Sequence, residues 1–373
     1  MKEVIMWTID KNKSWAHLRD TYYWVSRMEG VPQSPVHHAE GDVATHTRMV
    51  VEALEQLPTW RQLPPQQQEL LWAAALLHDV EKFSTTETLD DGSIVSPGHA
   101  RRGAMTARNI LYEEIPTPFE IREQIVWLIR YHGLPLWVFD KPDPVKALIS
   151  ASLDVDTSLL ATLARADVLG RICNDQEELL YRIDCFEALA REQQCWGQPK
   201  AFATPAAKMN YLEKEGVAPD YVPFPAAGSQ VVLMSGLPGA GKDTYVQRHY
   251  KDWAMVSPDN LRREKKVDPT DKSANGTIIQ EAKELARGYL RAGKNFVWNA
   301  TNITRQMRQQ LVSLCMTYSA QVTIVYVEAP ADKLLKQNAQ RKYAIPEKAL
   351  RQLMRKLETP GQTEAHAVEY VVQ

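Results

Sequence analysis

The 373-residue sequence has no apolar run long enough to cross a bilayer. Its longest, LLWAAALL (70–77) and VTIVYV (322–327), fall well short of the roughly 20 residues a spanning helix needs. The first residues, MKEVIMWTIDKNK, lack an uninterrupted apolar stretch and a small-residue cleavage site, so no signal peptide is read there. Cysteine is scarce. Cys173, Cys185, Cys195 and Cys315 show no CxxC spacing and read as reduced thiols of a cytoplasmic protein without membrane association. Internal repeats and long structureless tracts are also missing, so the whole chain is expected to fold.

There is little net charge, but its distribution is uneven. Of the 44 Lys and Arg and 46 Asp and Glu, residues 229–373 hold 22 basic and 14 acidic, leaving 22 basic and 32 acidic before them. A basic C-terminal part suits a polyanionic ligand, although a solvated face has the same composition. The length exceeds one ordinary core, so two domains are expected.

Apolar residues recur at three- and four-residue spacing over 43–57, 66–83, 99–113, 119–132, 157–172 and 175–195, which predicts an all-helical domain over 1–196. Residues 197–229 are rich in Pro, Ala and Gly and read as a linker holding at most one short helix. From 230 to 373 strand and helix alternate: VVLMS, AMVS, NFVWN and VTIVYVEA are separated by helices near 277–292 and 304–318. That pattern predicts an α/β domain with a parallel sheet.

Within this second domain, Gly236-Leu-Pro-Gly239-Ala-Gly241-Lys242 lies between a β-branched strand and a helix. That is the context of a phosphate-binding loop, in which backbone N–H groups wrap phosphates and Lys242 reaches the β- and γ-phosphates of ATP or another NTP. Asp243 stands where Ser or Thr usually touches Mg²⁺. Either its carboxylate holds the ion, or Thr244 bonds a phosphate and Asp243 points away. Asp259, in SPDNLR at the end of the second strand, is placed to accept the proton of an attacking hydroxyl, or else to cap the next helix. Arg262 is placed to clamp an anionic acceptor group, and Arg341, on the polar segment DKLLKQNAQRK, to close over the NTP.

GLPGAGKDT, SPDNLR, NATN and NAQRK together resemble the polynucleotide 5′-kinase family, over about residues 230–360. The resemblance implies transfer of an NTP γ-phosphate to a 5′-hydroxyl end of RNA or DNA. It casts Lys242 as phosphate clamp, Asp259 as general base, Arg262 as acceptor contact and Arg341 as lid. Three positions depart from the family pattern: Asp243 for Ser or Thr, Asn299 where Asp is frequent, and Gln337 where a second lid arginine occurs.

In the first domain seven of nine histidines fall at or before residue 132. His78-Asp79 closes an apolar helix. His46 stands in DVATHT, His99 in SPGHARR, His132 in IRYHG and Asp167 in ARADVLGR. This ordered set resembles the HD phosphohydrolase superfamily in its two-metal version, over about residues 35–195. The resemblance implies that His46, His78, Asp79 and Asp167 hold one metal, and that His99 and His132 hold a second with Asp79 bridging. Nitrogen-rich ligation favours Mn²⁺, Co²⁺, Ni²⁺ or Fe²⁺. Arg171, four after Asp167, and Lys82, four after His78, are placed to hold a substrate phosphate. His38, in VHHAEGD, is placed to give a proton to a leaving alkoxide.

The order of the two halves resembles the bacterial bifunctional end-healing enzymes called HD-Pnk. The resemblance implies phosphorylation of 5′-OH ends and hydrolysis of 2′,3′-cyclic phosphate and 2′/3′-phosphate ends, with a separate ligase sealing them. Two alternatives remain open: a nucleoside or small-molecule kinase fused to an HD nucleotide phosphohydrolase, and a non-catalytic nucleotide or RNA-end sensor.

Overall fold

The computed structural model describes residues 6–224, 228–268, 271–340 and 344–373. The chain divides after Ala201 into two compact units. The stretch expected to be a linker is therefore shared between them. Thr204 caps the helix Pro205–Glu213 by accepting from Ala207 N. Ala207, Met209 and Tyr211 of that helix are buried, and Lys208 Nζ donates to Gln362 O at 2.8 Å.

The first unit is helical around one central rod. In the helix Pro65–Leu77 every residue from Leu70 to Leu77 is buried, so it presents no polar face. A helix apolar all round has to be surrounded. Val43–Gln56, Phe119–Tyr131 and Thr157–Leu169 pack on it. Acidic caps fix where neighbouring helices begin. Asp42 accepts from Thr45 N, Asp143 from Lys146 N, and Asp156 from Ser158 N and Leu159 N. Gly170 ends Thr157–Leu169 where that helix crosses Val43–Gln56. A Cβ there would lie 2.6 Å from Val50 Cγ2 and 2.8 Å from Val50 N, so the close crossing needs glycine.

A two-stranded hairpin, β1 (Glu87–Thr88) and β2 (Ile94–Val95), interrupts the helices and was not expected from the sequence pattern. Among the described residues no single helix is long and apolar enough to cross a membrane. The bent pair Pro144–Ser152 and Thr157–Leu169 passes jointly on composition, and most of its apolar positions are buried in this core.

The second unit is built on a five-stranded parallel sheet in the order β4-β5-β3-β6-β7, with β3 Gln230–Ser235, β4 Ala254–Val256, β5 Phe296–Trp298, β6 Gln321–Glu328 and β7 Ala367–Val372. The last strand follows no strong sequence alternation and was missed by pattern. β3 is central and buried along five of its six residues. The strand order places the carboxyl ends of β3, β4 and β5 around one crevice.

One buried ionic group in the first unit has a measurable pH signature. Arg108 Nη2 donates to Glu123 Oε2 at 2.8 Å, and Arg122 Nε donates to Oε1 at 2.8 Å. Burial opposes the charge on Glu123, but the two guanidiniums outweigh it and hold the carboxyl at about 2, below its ordinary value of 4.5. Stability linked to this depressed group is fully present above the ordinary value and declines as pH falls toward 2. Glu123→Gln is expected to cost the first unit about 3 kcal/mol in urea unfolding at pH 7. The deficit relative to wild type should shrink as the measurement is moved toward pH 3.

Candidate functional sites

In the first unit the structure brings His46, His78, Asp79, His99, His132 and Asp167 into one cluster. All but His99 are buried. Ligand atoms of His46, His78 and Asp79 lie within 4.8 Å of one another, and so do those of Asp79, His99 and His132. The hydrogen bonds decide what the rings offer. His78 Nδ1 donates to Ala75 O at 2.7 Å, His99 Nδ1 to Ser96 O at 2.7 Å, and His132 Nδ1 to Ile129 O at 2.8 Å. A carbonyl only accepts, so each Nδ1 carries the hydrogen and each Nε2, when the ring is neutral, carries a lone pair.

Those lone pairs converge. His99 Nε2 and His132 Nε2 face each other at 3.3 Å. Burial, helped by His99 and His78, pushes His132 down to about 3, so its Nε2 carries no proton at neutral pH. His46 Nε2 lies 3.1 Å from Asp167 Oδ1 and 3.7 Å from Asp79 Oδ2. Burial opposes the charges on Asp79 and Asp167. For Asp79 the neighbouring His78 and Lys82 outweigh it, and for Asp167 Arg171 and His46 do, so both stay ionised. His46 Nε2, His78 Nε2 and Asp79 Oδ1 are buried without a hydrogen-bond partner. Acceptors facing acceptors in a buried site are costly alone and fit divalent cations. The donor set of imidazole nitrogen with carboxylate oxygen suits a transition metal.

Lys82 and Arg171 sit at the cluster edge, paired to its carboxylates. Lys82 Nζ donates to Asp79 Oδ2 and Gln33 Oε1, both at 2.8 Å. Arg171 Nε donates to Asp167 Oδ1 at 3.1 Å, and its Nη2 to Oδ2. With His38 they line a cavity of about 540 Å³ that opens on the cluster.

Glu40 was visible in the sequence only as a letter in the HAEGD loop. Its Oε1 accepts from His38 Nδ1 at 2.8 Å and lies 2.9 Å from His46 Nδ1, which donates to Gly170 O at 3.3 Å, and its Oε2 accepts from Ile172 N at 2.9 Å. Burial opposes its charge, but these donors outweigh it and hold the carboxyl well below the usual range. Because His38 gives its Nδ1 hydrogen to Glu40 and His46 gives its own to Gly170 O, neither Nδ1 is free to ligate, and the trio is a hydrogen-bonded relay and not a third metal triad. Burial also pushes His38 down to about 4.

In the second unit β3 runs into Gly236, Gly239 and Gly241, at φ +138°, +89° and +97°, and then the helix Lys242–His249. A Cβ on Gly236 would lie 2.3 Å from Val327 O on β6. Lys242 is buried, and its Nζ donates to Gly236 O and Leu237 O at 2.9 Å each. Asp259 does not cap its helix. Ser257 does, accepting from Asn260 N. The Asp259 carboxylate instead accepts from Arg262 Nη1, while Arg262 Nε donates to Asn275 Oδ1 at 2.5 Å.

The NATN segment splits by role. Asn302, at φ +42°, donates through Nδ2 to Met234 O at 2.8 Å and ties β3 to this loop. Asn299 faces the crevice, where its Nδ2 donates to Asp243 Oδ1 at 2.7 Å. Gly239, Gly241, Lys242, Asp243, Thr244, Asp259, Arg262 and Asn299 line one cavity of about 500 Å³. Arg341 lies outside the described residues. Gln337 turns to Gln373, its Nε2 donating to Oε1 at 3.4 Å.

Residues 43–170 match the HD domain family and residues 231–360 the AAA domain family. The chain is 36% identical over 109 residues to the Multifunctional CCA protein of Halorhodospira halophila, covering 29% of this chain and 23% of that protein. It is 26% identical over 147 residues to the L-seryl-tRNA(Sec) kinase of Methanococcus maripaludis, covering 35% and 53%. The chain thus spans about a quarter and about half of these relatives' lengths. Among solved structures it is similar to a chain of the Pnkp1/Rnl/Hen1 RNA repair complex (TM-score 0.34, 20% identity, 36% and 45% covered). It is also similar to a sugar kinase from Janibacter sp. (TM-score 0.31, 16% identity, 39% and 85% covered). The first unit is therefore a helical HD domain, and the second a P-loop α/β domain on a five-stranded parallel sheet.

Glu40→Gln keeps the volume of the relay and removes its charge. Mn²⁺ affinity at the cluster, measured by calorimetry on the full chain, is expected to fall about 10- to 100-fold. Unchanged affinity would mean that His46 is oriented without Glu40.

Proposed function

We propose that the chain heals nucleic-acid ends. The P-loop unit would transfer the γ-phosphate of an NTP to a 5′-OH end, and the HD unit would hydrolyse 2′,3′-cyclic phosphate and 2′/3′-phosphate ends. The observation that carries the reading is the set of buried, unpartnered acceptor atoms at His46, His78 and Asp79, beside a cavity lined by Lys82 and Arg171.

In the HD unit, His46, His78, Asp79 and Asp167 would hold one divalent cation, and His99 and His132, with Asp79 shared, a second. Such ions supply a low-pKa water and neutralise a phosphate ester. The chain's own groups do the rest. Arg171 and Lys82 bind phosphate oxygens, sharing their charge with Asp167 and Asp79. His38, raised again by that phosphate, hands a proton to the leaving alkoxide, and Glu40 holds the ring in place.

In the P-loop unit, Lys242 would leave its loop carbonyls for the β- and γ-phosphates of Mg²⁺-bound ATP or another NTP. Asp259 would accept the 5′-hydroxyl proton once the acceptor phosphate draws Arg262 away, and Arg341 would close the lid. Arg262 and Arg263 both line this cavity, which favours a polyanionic acceptor over a neutral nucleoside or sugar. The name of the L-seryl-tRNA(Sec) kinase, whose acceptor is a seryl-tRNA, supports the same choice. The products, a 5′-phosphate and a free 3′ end, suit a separate ligase as the downstream partner.

The test is one oligonucleotide bearing a 5′-OH and a 2′,3′-cyclic phosphate, incubated with ATP, Mg²⁺ and Mn²⁺ while both termini are followed. Asp259→Ala is expected to slow 5′-phosphorylation by at least about 100-fold and spare 3′-end hydrolysis. His78→Ala with Asp79→Ala should do the reverse. Phosphorylation of mononucleosides but not of the oligonucleotide would select a nucleoside kinase. Inertness of both termini would select a sensor.

A further inference from the structure

The common P-loop arrangement divides the work of holding Mg²⁺ between two positions. A hydroxyl follows the loop lysine, and an aspartate sits at the end of a neighbouring strand. In this chain the residue types are exchanged. Asp243 follows Lys242 in the first turn of Lys242–His249, and Asn299 stands one residue past β5. The two side chains meet across 56 residues of sequence, Asn299 Nδ2 donating to Asp243 Oδ1 at 2.7 Å. Both line the cavity that also holds Lys242 and Asp259.

The exchange conserves what a cation requires. The pair still carries one negative charge and still presents oxygen donors, the type Mg²⁺ selects. Only the position of the charge moves, from strand end to helix start, where the helix N-terminus tolerates a carboxylate well. Asn299 is held rigidly. It is 8% exposed, and its backbone N donates to Val256 O of β4 at 2.9 Å. Asp243, by contrast, is exposed to the cavity. A fixed neutral amide thus orients an accessible carboxylate.

We propose that Asp243 and Asn299 form a transposed seat for the nucleotide's Mg²⁺, with Asp243 giving the charged oxygen and Asn299 the neutral one. Thr244 is not needed as the hydroxyl ligand. The proposal rests on the kinase reading of this cavity.

The experiment measures Mn²⁺ binding by electron paramagnetic resonance, with a non-hydrolysable ATP analogue. It uses the full chain carrying His78→Ala and Asp79→Ala, so that the other cluster does not compete. Asp243→Asn keeps an acceptor for Asn299 and removes the charge. It is expected to weaken Mn²⁺ binding about tenfold or more while metal-free analogue binding changes less than about threefold. Asp243→Ser should do the same, and adding Asn299→Asp to it should restore Mn²⁺ affinity. Parent-like Mn²⁺ affinity in Asp243→Asn, or no recovery in a double variant that still binds the metal-free analogue, would overturn the seat. A parent chain that binds no analogue would overturn the kinase reading and the seat with it. Parent binding without an effect of Asp243→Asn would overturn the seat alone.

Discussion

The first unit depends on a hydrogen-bond choice made at each ring. His78, His99 and His132 each give the Nδ1 hydrogen to a main-chain carbonyl three residues earlier, at Ala75, Ser96 and Ile129. A histidine at or next to a helix end is well placed for this, because the carbonyls of a last turn lack helical partners, and Ser96 O lies in the loop ahead of the helix His99–Asn109. The local backbone thereby sets the tautomer, and the tautomer turns the remaining lone pair inward. Without that constraint the rings would be free to hydrogen-bond one another and neutralise the cluster. With it, the convergent face has acceptors only. His46 obeys the same rule across the fold, its Nδ1 donating to Gly170 O at 3.3 Å with the Glu40 carboxylate 2.9 Å away.

The electrostatics of the cluster follow from that face. Two ionised aspartates buried side by side would repel each other, and the chain answers with Lys82 beside Asp79 and Arg171 beside Asp167. Both pairs are local, at three- and four-residue spacing, so one turn of backbone supplies carboxylate and counter-charge together. The cations sit on the cavity side of the cluster. They stabilise the carboxylates and also stand where a phosphate would arrive. On the reading proposed above, one charge set would serve both folding and recognition; the Asp79 carboxylate already accounts for a lysine being buried at position 82.

Much of this was legible in the sequence because the informative signals are short-range. Helix periodicity located Val43–Gln56, Phe119–Tyr131 and Thr157–Leu169, and the Gly-rich loop between a β-branched strand and a helix announced itself. The unread features are long-range. Glu40 needs His46 folded above it, and Asn299 needs Asp243 brought to it by the parallel pairing of β3 with β5. Residues 367–372 (AVEYVV) carry strand-favouring Val and Tyr but no clean alternation, and their partner, β6, lies some forty residues away. Arg308 is a similar case. It is fully buried, with Nε and Nη2 on the two oxygens of Glu364, yet its neighbours in sequence are ordinary polar helix residues.

The two sites are constructed in opposite ways, and the difference matters for how each can work. The HD cluster is buried and held by carbonyls, so its geometry exists before any ligand comes. That suits chemistry in which the ions and the water must be positioned in advance. The P-loop cavity is self-satisfied. Lys242 is tied to Gly236 O and Leu237 O, Asp259 to Arg262, and Asp243 to Asn299. On the proposed reading the Lys242 and Asp259 contacts would have to open before phosphate or hydroxyl is engaged, whereas the Asp243–Asn299 contact would stay and hold the carboxylate toward the cation. Such internal pairing protects the charged groups from one another and from water. On the proposed reading it would also tie activation to the arrival of the correct anion, since only a ligand that offers more than the existing partner displaces it.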